Sequence, residues 1–542
     1  MEEEVIVKPA PTLAEIGQKV SIRSHDPEGG FRDLLGYLVS INQVRKKSGQ
    51  IVTFDPDQIA LWKVVPSATV STGIHLYDTK SRSLRELTIR DGKAFRMYCC
   101  GPTVYREAHV GNLRTFLLAD LISRLMKLQG HQVHSVQNIT DVGHMGEDFD
   151  GLESRNSEED KMLVQAHIEH IDPLEIARGY EAKFHADLTR IGIAASDIYP
   201  RASESIEMMQ RLIQQLIDRG NAYLGTDGSV YFDANSFESY GALSGNKLDS
   251  LKPGHRYQYT GDGGKRFHAD WALWKSAGTR KEMVWDSPWG VGFPGWHIEC
   301  SAMSLHYLGG HVDLHLGGID LRFPHHENER AQSNCAAMSE VTDQWVHGEH
   351  LLFEGRKMSK SAGNVLLVED VMRRGFDPLA IRLVFLENKY RSQMDLTWEQ
   401  IASADTTLKR WRVKYQEWAT QEVKNDEHVV LELVESIFES LRNDLDTPAA
   451  LLKLRKIERD LSISAKTKAQ FFARVDHFFG LEITRTNEIV TIDDQTAQLI
   501  AERAAARDAK DFARGDEIRD ELLARKIRVS DGPSGQNWEV IP

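Results

Sequence analysis

The stretch that most constrains the fold is residues 100–112, which read CGPTVYREAHVGN. An apolar run at 95–98 precedes it and predicts a buried strand, and residues 113–128 have the apolar spacing of a helix. A strand, a turn and a helix in this order open a nucleotide-binding α/β unit. Ligands of such a unit bind outside the carboxyl ends of its strands, so we expect Cys100 and His109 to face one crevice.

A second basic motif lies far downstream, where residues 357–361 read KMSKS. It combines two lysines with two hydroxyl groups, which suits it to stabilising phosphate oxygens as their charge shifts. The tetrapeptide HVGN at 109–112 places an imidazole and an amide at the start of the predicted helix, whose N-terminal dipole favours anions. Both motifs are therefore suited to clamping a phosphate group.

Candidate metal ligands come from three separate parts of the chain. Residues 295–300 read GWHIEC and residues 323–329 read FPHHENE. On a helix that begins near Pro324, His325 and Glu329 would share one face because they are four residues apart. Two thiolates could complete a set of two sulfurs, one nitrogen and one oxygen, which suits zinc. Spacing alone leaves open the alternative of two buried cysteines beside a polar helix terminus.

These motifs, in this order, resemble those of class I aminoacyl-tRNA synthetases, and the cysteines and histidines narrow the resemblance to the cysteinyl-tRNA synthetase family. The resemblance covers residues from about 76 to the end of the chain. One position departs from the family's usual His-Ile-Gly-His, because Asn112 stands in the last place. Asparagine cannot become cationic, although it can still donate a hydrogen bond. This departure concerns the level of activity more than the family.

The resemblance implies a role for each motif residue. The implied zinc ligands are Cys100, Cys300, His325 and Glu329. The implied ATP-binding residues are His109, Gly111, Asn112, Lys357, Met358, Ser359, Lys360 and Ser361. Those expected to act in catalysis are His109, Asn112, Lys357 and Lys360. The residues expected to bind the cysteine substrate are Gly101 and Asp320 (ammonium group), Thr103, Thr140 and His297 (carboxylate) and Trp296 (pocket wall). The implied anticodon-binding residues are Arg507, Phe512, Asp516 and Asp531.

The expected architecture is a Rossmann-like α/β catalytic domain with several additions. Strand and helix signals alternate from residue 76 to about 200, as in a parallel sheet. We predict five parts: a small β-barrel module at 1–75, the catalytic domain at 76–345 with an insertion at about 200–268, a KMSKS and stem-contact region at 346–400, a helical bundle at 401–490, and an anticodon-recognition domain at 491–542. The role of the first module is open between a packing appendage and a tRNA- or partner-binding unit.

The charge and the cysteine content limit which partners and which cellular location we expect for the protein. Lys and Arg number 66 against 80 Asp and Glu, a formal net charge of −14, so a tRNA partner requires local basic faces. Four cysteines in 542 residues do not suggest a disulfide framework, which favours a reducing, cytoplasmic location. No apolar run is long enough to span a bilayer, and the acidic start MEEE is unlike a signal peptide. We expect a monomer.

The expected reaction is the activation of cysteine by ATP, with Mg²⁺, followed by transfer to cysteine tRNA. A zinc site that binds a thiolate would reject serine strongly, because a hydroxyl is a poor ligand for a soft site. Two alternatives remain open. One is a cysteine ligase acting on an amino-sugar, as in the mycothiol pathway, although such enzymes lack the extension that follows residue 400. The other is an inactive, tRNA-binding paralogue, which the asparagine at position 112 makes conceivable.

Overall fold

The structure, a computed structural model, describes the following residues: 10–11, 19–26, 29–46, 48–65, 69–90, 93–142, 160–248, 264–358, 364–421, 426–486, 493–525, 527–532 and 535–540. Within these ranges, no helix combines the length and the apolar character needed to cross a bilayer.

An antiparallel sheet precedes the rest of the fold in the sequence. Its strands are β1 (Lys19–His25), β2 (Phe31–Ser40), β3 (Gln43–Arg45), β4 (Ile51–Thr53) and β5 (Ile59–Val64), paired in the order β4-β3-β2-β1-β5. Alternate residues point inward, so Val20, Ile22, Leu34 and Trp62 pack into a small core. Alternating or β-branched runs at 20–23, 35–39 and 50–53 predict strands, and the structure confirms all three, whereas closure of this sheet into a barrel stays a prediction.

A hairpin of β6 (Thr69–Asp78) and β7 (Ser83–Arg90) follows. Its turn is bound to a strand of the core: the backbone N–H of Trp345 donates to Asp78 Oδ1 over 2.9 Å, and the N–H of Thr79 donates to the Trp345 carbonyl over 2.8 Å. The turn therefore has a fixed place beside that strand.

Residues 95–348 form the α/β core and the segment inserted into it. The elements in chain order are β8 (Phe95–Cys99), α1 (Val110–Leu128), β9 (Val133–Gln137), α2 (Lys161–Glu169), α3 (Pro173–Arg190), α4 (Ile206–Asp218), β10 (Ala222–Leu224), β11 (Val230–Phe232), β12 (Trp271–Ser276), β13 (Gly292–Pro294), α5 (Trp296–Tyr307), β14 (Val312–Gly318), α6 (His325–Ala337) and β15 (Thr342–Gly348).

The central sheet is parallel and has the strand order β15-β14-β8-β9. From β8 the chain goes to β9 on one side and later to β14 on the other, so a topological switch point lies between β8 and β14. Crevices that bind ligands open at such a point, outside the carboxyl ends of the strands. The predicted strand–turn–helix unit and the Rossmann-like fold class are confirmed, and α1 begins three residues earlier than the apolar spacing indicated.

The inserted segment carries a second sheet, antiparallel, in the order β10-β11-β12-β13. The residues at 222–232 predict a strand, a loop and a strand, and β10 and β11 confirm this prediction. Residues 148–160 are acidic and without apolar periodicity, which predicts a surface loop, and most of them lie outside the described residues. Its last residue is not on the surface as expected: Asp160 is buried, pairs with Arg280 at 2.9 Å and caps α2 through the N–H of Met162.

After the core the chain becomes mostly helical, as predicted. The elements are β16 (Leu351–Phe353), β17 (Arg356–Lys357), α7 (Val368–Arg373), α8 (Leu379–Leu386), β18 (Met394–Leu396), α9 (Trp398–Ala419), α10 (Glu427–Arg442), α11 (Thr447–Arg459), α12 (Ala465–Phe479), α13 (Asp494–Asp508), α14 (Phe512–Ala524), β19 (Ile527–Gly532) and β20 (Gly535–Val540).

The charged sequence near the end of the chain predicts a helix at 497–513 and a further segment at 516–525, and the first is wrong at its end. Helix α13 ends at Asp508, because Lys510 adopts a left-handed backbone (φ 62°) and Asp511 begins a new helix by accepting the N–H of Arg514 through its side chain. The charged composition of the stretch shows no interruption, so apolar spacing could not reveal this break.

Candidate functional site

The four candidate metal ligands lie together at the carboxyl edge of the parallel sheet. Cys100 directly follows β8, Cys300 lies on α5, and His325 and Glu329 lie in the first turns of α6. The backbone N–H of Cys100 donates to the carbonyl of Leu316 on β14 over 3.1 Å, which ties it to the neighbouring strand. The base of the switch-point crevice is therefore lined by these side chains.

The ligand atoms of this cluster lie within 4.8 Å of one another. The two sulfurs are 3.9 Å apart, Cys100 Sγ is 3.6 Å from Glu329 Oε1, and His325 Nε2 is 2.9 Å from the same oxygen. All four residues are 4% exposed or less, so water does not compensate their polar atoms. Tetrahedral coordination with metal–sulfur bonds of about 2.3 Å would place two sulfurs roughly 3.8 Å apart, close to the separation seen here.

The electrostatics of the cluster also fit a cation. Burial raises the pKa of the Glu329 carboxyl well above its usual range, and burial together with neighbouring Cys300 raises the pKa of the Cys100 thiol. Among the described residues, Glu329 Oε2 receives no hydrogen bond, and His315 Nε2 approaches it to 3.4 Å without donor geometry. A buried carboxylate oxygen without a donor, next to two thiols and an imidazole, could be satisfied by a bound metal ion.

A second donor set overlaps the first. His315 and His326 lie near Cys100 Sγ, at 3.5 and 3.2 Å through their Nε2 atoms, and with Cys100 and Glu329 they also form a compact group. Sequence analysis did not assign either histidine. The signal in the sequence was local: His315 lies two residues before the glycine pair 317–318 in an apolar run, and His326 neighbours His325.

The structure places the first three candidate substrate residues where the chain leaves β8 and β9. Gly101 donates its N–H to Asn138 Oδ1 over 2.8 Å, and a Cβ at Gly101 would lie 1.7 Å from the Asn138 carbonyl oxygen. Only glycine fits this close approach. Thr103 and Thr140 face each other in a parallel bridge, and the Thr140 hydroxyl donates to buried Glu299 over 3.2 Å. A substrate carboxylate would have to replace Glu299 as its acceptor.

Of the other three candidate substrate residues, Trp296 and His297 contact His325 of the metal-ligand cluster, and Asp320 lies on the turn after β14. The Trp296 ring stacks on His325 with centroids 4.1 Å apart, and His297 Nδ1 lies 2.9 Å from His325 Nδ1. Burial lowers the pKa of His297 well below its usual range, which favours the uncharged imidazole. Asp320 is exposed on the helical turn after β14, beside Gly318. His297 thus offers an uncharged imidazole beside the cluster, and Asp320 offers an exposed carboxylate after the carboxyl end of β14.

His109 and Asn112 form a reciprocal cap at the start of α1. The Asn112 N–H donates to His109 Nδ1 over 3.3 Å, and the His109 N–H donates to Asn112 Oδ1 over 3.2 Å. Burial, with a smaller contribution from nearby Arg106, lowers the pKa of His109 to about 4. An uncharged His109 that accepts through Nδ1 carries its proton on Nε2, so both side chains offer neutral N–H donors.

The two phosphate-binding motifs approach each other at Gly111. A Cβ at Gly111 would lie 2.8 Å from Met358 Cε, so glycine at the helix start lets the first residues of KMSKS pack against it. Met358 is buried and Lys357 is exposed on β17. Ser359, Lys360 and Ser361 lie outside the described residues.

Three of the four candidate anticodon residues lie around the junction of α13 and α14. The Arg507 guanidinium lies 5.3 Å from the ring centre of Phe512, whose side chain is 56% exposed. Asp516 pairs with Arg519 at 3.1 Å. Asp531 lies apart from them in sequence, on β19, where its backbone pairs with Gln536. An exposed aromatic ring beside a guanidinium suits base stacking.

Comparison with known proteins gives a consistent result. Residues 86–406 match a family model described as tRNA synthetases class I (C) catalytic domain, and residues 491–538 match one described as cysteinyl-tRNA ligase anticodon binding domain. The chain is 38% identical over 492 residues to a cysteine–tRNA ligase of Thermus thermophilus, covering 86% of this chain and 99% of that protein. It is 35% identical to a cysteine–tRNA ligase of Chlorobaculum tepidum, with the same coverage.

Among solved structures, the chain resembles Mycobacterium tuberculosis methionyl-tRNA synthetase in complex with methionyl-adenylate. The TM-score is 0.50 with 14% sequence identity, covering 72% of this chain and 89% of that one. At this identity the likeness concerns the fold.

Proposed function

The chain belongs to the cysteine–tRNA ligase family of class I aminoacyl-tRNA synthetases, and we propose that it activates L-cysteine with ATP to cysteinyl-adenylate and transfers cysteine to the 3′ end of cysteine tRNA. The observation that carries this function is the match to full-length relatives, which includes both a catalytic part and an anticodon-binding part. The sequence resemblance to this family is thereby confirmed.

The buried cluster of Cys100, Cys300, His325 and Glu329 is our proposed zinc site. A zinc ion held there would supply a soft, cationic site for the substrate thiolate, which serine cannot match. The protein's own contribution is to keep the ligands dry and fixed: Trp296 covers one face of His325, and the Cys100 backbone is bound to β14. Loss of a required polar contact can discriminate by about 10⁴–10⁵-fold, whereas a methylene-scale difference reaches about 10–200-fold.

Adenylate formation would depend on positioning and charge stabilisation around the α-phosphate of ATP. We propose that His109 and Asn112 bind phosphate oxygens through neutral N–H groups at the N-terminus of α1, whose dipole adds to them. Positive charge would then come from Lys357 and Lys360, with Mg²⁺ accompanying ATP. The remaining residues of the two motifs, Gly111, Met358, Ser359 and Ser361, would shape the same site.

Recognition of cysteine tRNA is proposed to involve Arg507, Phe512, Asp516 and Asp531. The exposed Phe512 ring and the neighbouring Arg507 guanidinium support this proposal, because stacking on aromatic and guanidinium planes is how proteins hold unpaired bases. The pocket roles of Gly101, Thr103, Thr140, Trp296, His297 and Asp320 are likewise proposals, supported by their position around the crevice. So are the five-part division of the chain and a monomeric state.

The alternative of an amino-sugar ligase is not favoured. The match to an anticodon-binding family at residues 491–538 gives this chain a part that such a reaction does not need. The inactive paralogue is addressed by experiment.

The test is cysteine-dependent ATP–pyrophosphate exchange, followed by transfer to bulk tRNA. Exchange with cysteine but not with serine, and charging of cysteine tRNA, is the expected result. Exchange without transfer to tRNA would favour the amino-sugar ligase. The absence of both, from folded protein that contains its metal, would favour the inactive paralogue.

A further inference from the structure

A line of hydrogen bonds leads from the β6–β7 turn to the metal-ligand cluster. Thr79 Oγ1 lies 2.7 Å from His347 Nδ1, His347 Nε2 lies 2.8 Å from His326 Nδ1, and His326 Nε2 lies 3.2 Å from Cys100 Sγ. Both imidazoles are buried, and Thr79 is half-buried at the turn. Thr79 precedes the range matched by the catalytic family model, which begins at residue 86.

The chemistry at the two ends of this line determines which atom donates in each hydrogen bond. A cysteine that ligates a metal is a thiolate, which only accepts hydrogen bonds. His326 Nε2 must then carry the proton, and in an uncharged imidazole its Nδ1 becomes an acceptor. His347 therefore donates through Nε2 and accepts through Nδ1, where the available donor is the Thr79 hydroxyl. Every donor in the line then points toward Cys100.

The backbone holds the start of this line in place. The N–H of Thr79 donates to the carbonyl of Trp345, and Asp78 accepts the Trp345 N–H, so the turn is bound to β15 on both sides of that residue. The Trp345 ring in turn stacks on His315, with centroids 4.4 Å apart and an interplanar angle of 25°. One turn thereby supports His326, which contacts Cys100, and His315, which lies beside Glu329.

We propose that Thr79 is a positioning residue of the metal centre: its hydroxyl donates to His347 Nδ1 and so stabilises the tautomers of His347 and His326 in which an N–H faces the Cys100 sulfur. This inference rests on the proposed zinc site. An N–H donated to a metal-bound thiolate stabilises its charge and fixes its orientation, and loss of such outer partners typically weakens metal binding by about 10–100-fold. Without the hydroxyl, His347 Nδ1 loses its donor, so the arrangement that presents an N–H to the sulfur is stabilised less.

The experiment compares Thr79→Val, which keeps the side-chain shape and removes the hydroxyl, with Thr79→Ser, which keeps the hydroxyl. Zinc affinity of the full-length protein is measured by competition with a chromophoric chelator, and the sulfur-to-metal charge-transfer band is recorded after Co²⁺ substitution. We expect Thr79→Val to weaken zinc binding by about tenfold and to shift the band, and Thr79→Ser to restore both.

Thr72→Val is the matched control. Thr72 is a buried threonine of the same hairpin, and its hydroxyl donates to the Leu87 carbonyl over 2.7 Å, away from the metal cluster. If Thr79→Val and Thr72→Val bind zinc alike, or if Thr79→Ser behaves like Thr79→Val, the hydroxyl has no positioning role and the inference is overturned. If wild-type protein binds no zinc, the zinc site itself is wrong, which is a different failure.

Discussion

The two edges of the parallel sheet carry similar residue types but differ in whether protein donors compensate their carboxylates. At the carboxyl edge, two thiols, an imidazole and a carboxylate converge, and Glu329 Oε2 is left without a donor among the described residues. At the amino edge, His311, Asp313 and Asp343 also form a compact group that could hold a metal ion. There, however, the polar atoms neutralise one another.

The amino-edge group is completed by protein donors. His311 Nε2 lies 3.2 Å from Asp313 Oδ1 and 3.1 Å from Asp343 Oδ2, Arg90 pairs with Asp343 at 2.9 Å, and the Arg96 N–H donates to Asp313 over 2.7 Å. Arg90, the Arg96 backbone N–H and His311, whose pKa the two carboxylates raise, thus compensate Asp313 and Asp343. This comparison shows that side chains able to bind a metal do not make a metal centre merely by lying close together. A centre needs buried donors that the protein leaves uncompensated.

The largest expected effect is at the carboxyl edge. Cys300→Ala should abolish stoichiometric zinc binding and lower the exchange rate with cysteine by about 10³-fold or more, because the site loses a thiolate and the substrate thiol loses its partner. Metal analysis and pyrophosphate exchange measure both. Cys335→Ala is the control, since this half-buried cysteine lies outside the cluster. If Cys300→Ala kept its zinc, Cys300 would not be a ligand, and the proposed difference in metal binding between the two edges would be wrong.

A second effect tests whether phosphate chemistry belongs to the same edge. Lys360→Ala should slow single-turnover adenylate formation by about 10²–10³-fold while cysteine affinity changes little, because the lysine acts on charge that develops at the phosphates. Lys127→Ala is the matched control, because it removes the same charge at the other end of α1, where the side chain is exposed. Equal activation rates for wild type and Lys360→Ala would exclude this role.

The third prediction concerns a truncation that changes neither edge of the sheet. Truncation after Thr491 should preserve pyrophosphate exchange and reduce charging of cysteine tRNA by about 10²-fold, since several base or phosphate contacts of roughly 1–3 kcal/mol each would be lost. The last helices and strands have their own small core of Leu499, Ile518, Leu522 and Ile527, which supports their independent removal. Arg507→Ala in the full-length chain should produce part of the same loss. Loss of exchange upon truncation would show that this region stabilises the catalytic core.

The smallest effect is expected at the amino edge and concerns stability. Burial lowers the pKa of His311, but hydrogen bonds to Asp313 and Asp343 outweigh burial and raise it overall. A raised pKa contributes stability that is fully present below the unfolded value of about 6.5 and is lost as pH rises through the folded value.

His311→Gln should therefore lower the free energy of unfolding by about 1–3 kcal/mol near pH 6, with a smaller difference at alkaline pH. Chemical denaturation across this pH range measures the difference. Zinc content and exchange activity should stay at wild-type levels. A loss of zinc in this variant would mean that the amino edge takes part in metal binding after all.

Much of the fold and the composition of the site follow from local patterns. The strand–turn–helix unit around Cys100, the helices that begin near Trp398 and Glu427, and the shared face of His325 and Glu329 are short-range features that periodicity reveals. The break between the last two helices was predicted after residue 513 and lies at Lys510, because a single left-handed residue inside a charged stretch leaves no mark on apolar spacing.

The sequence by itself determined the family, the order of the elements and the residue types that could hold a metal, because these depend on motifs read along the chain. Only the tertiary structure decided which polar side chains are compensated. Thr79 and His347 are 268 residues apart, and Arg90 and Asp343 are 253 apart, yet each pair is in contact. Hydrogen bonds and ion pairs between distant segments leave no local periodicity, so only the folded chain could separate the edge of the sheet that we propose to bind zinc from the edge whose carboxylates are paired.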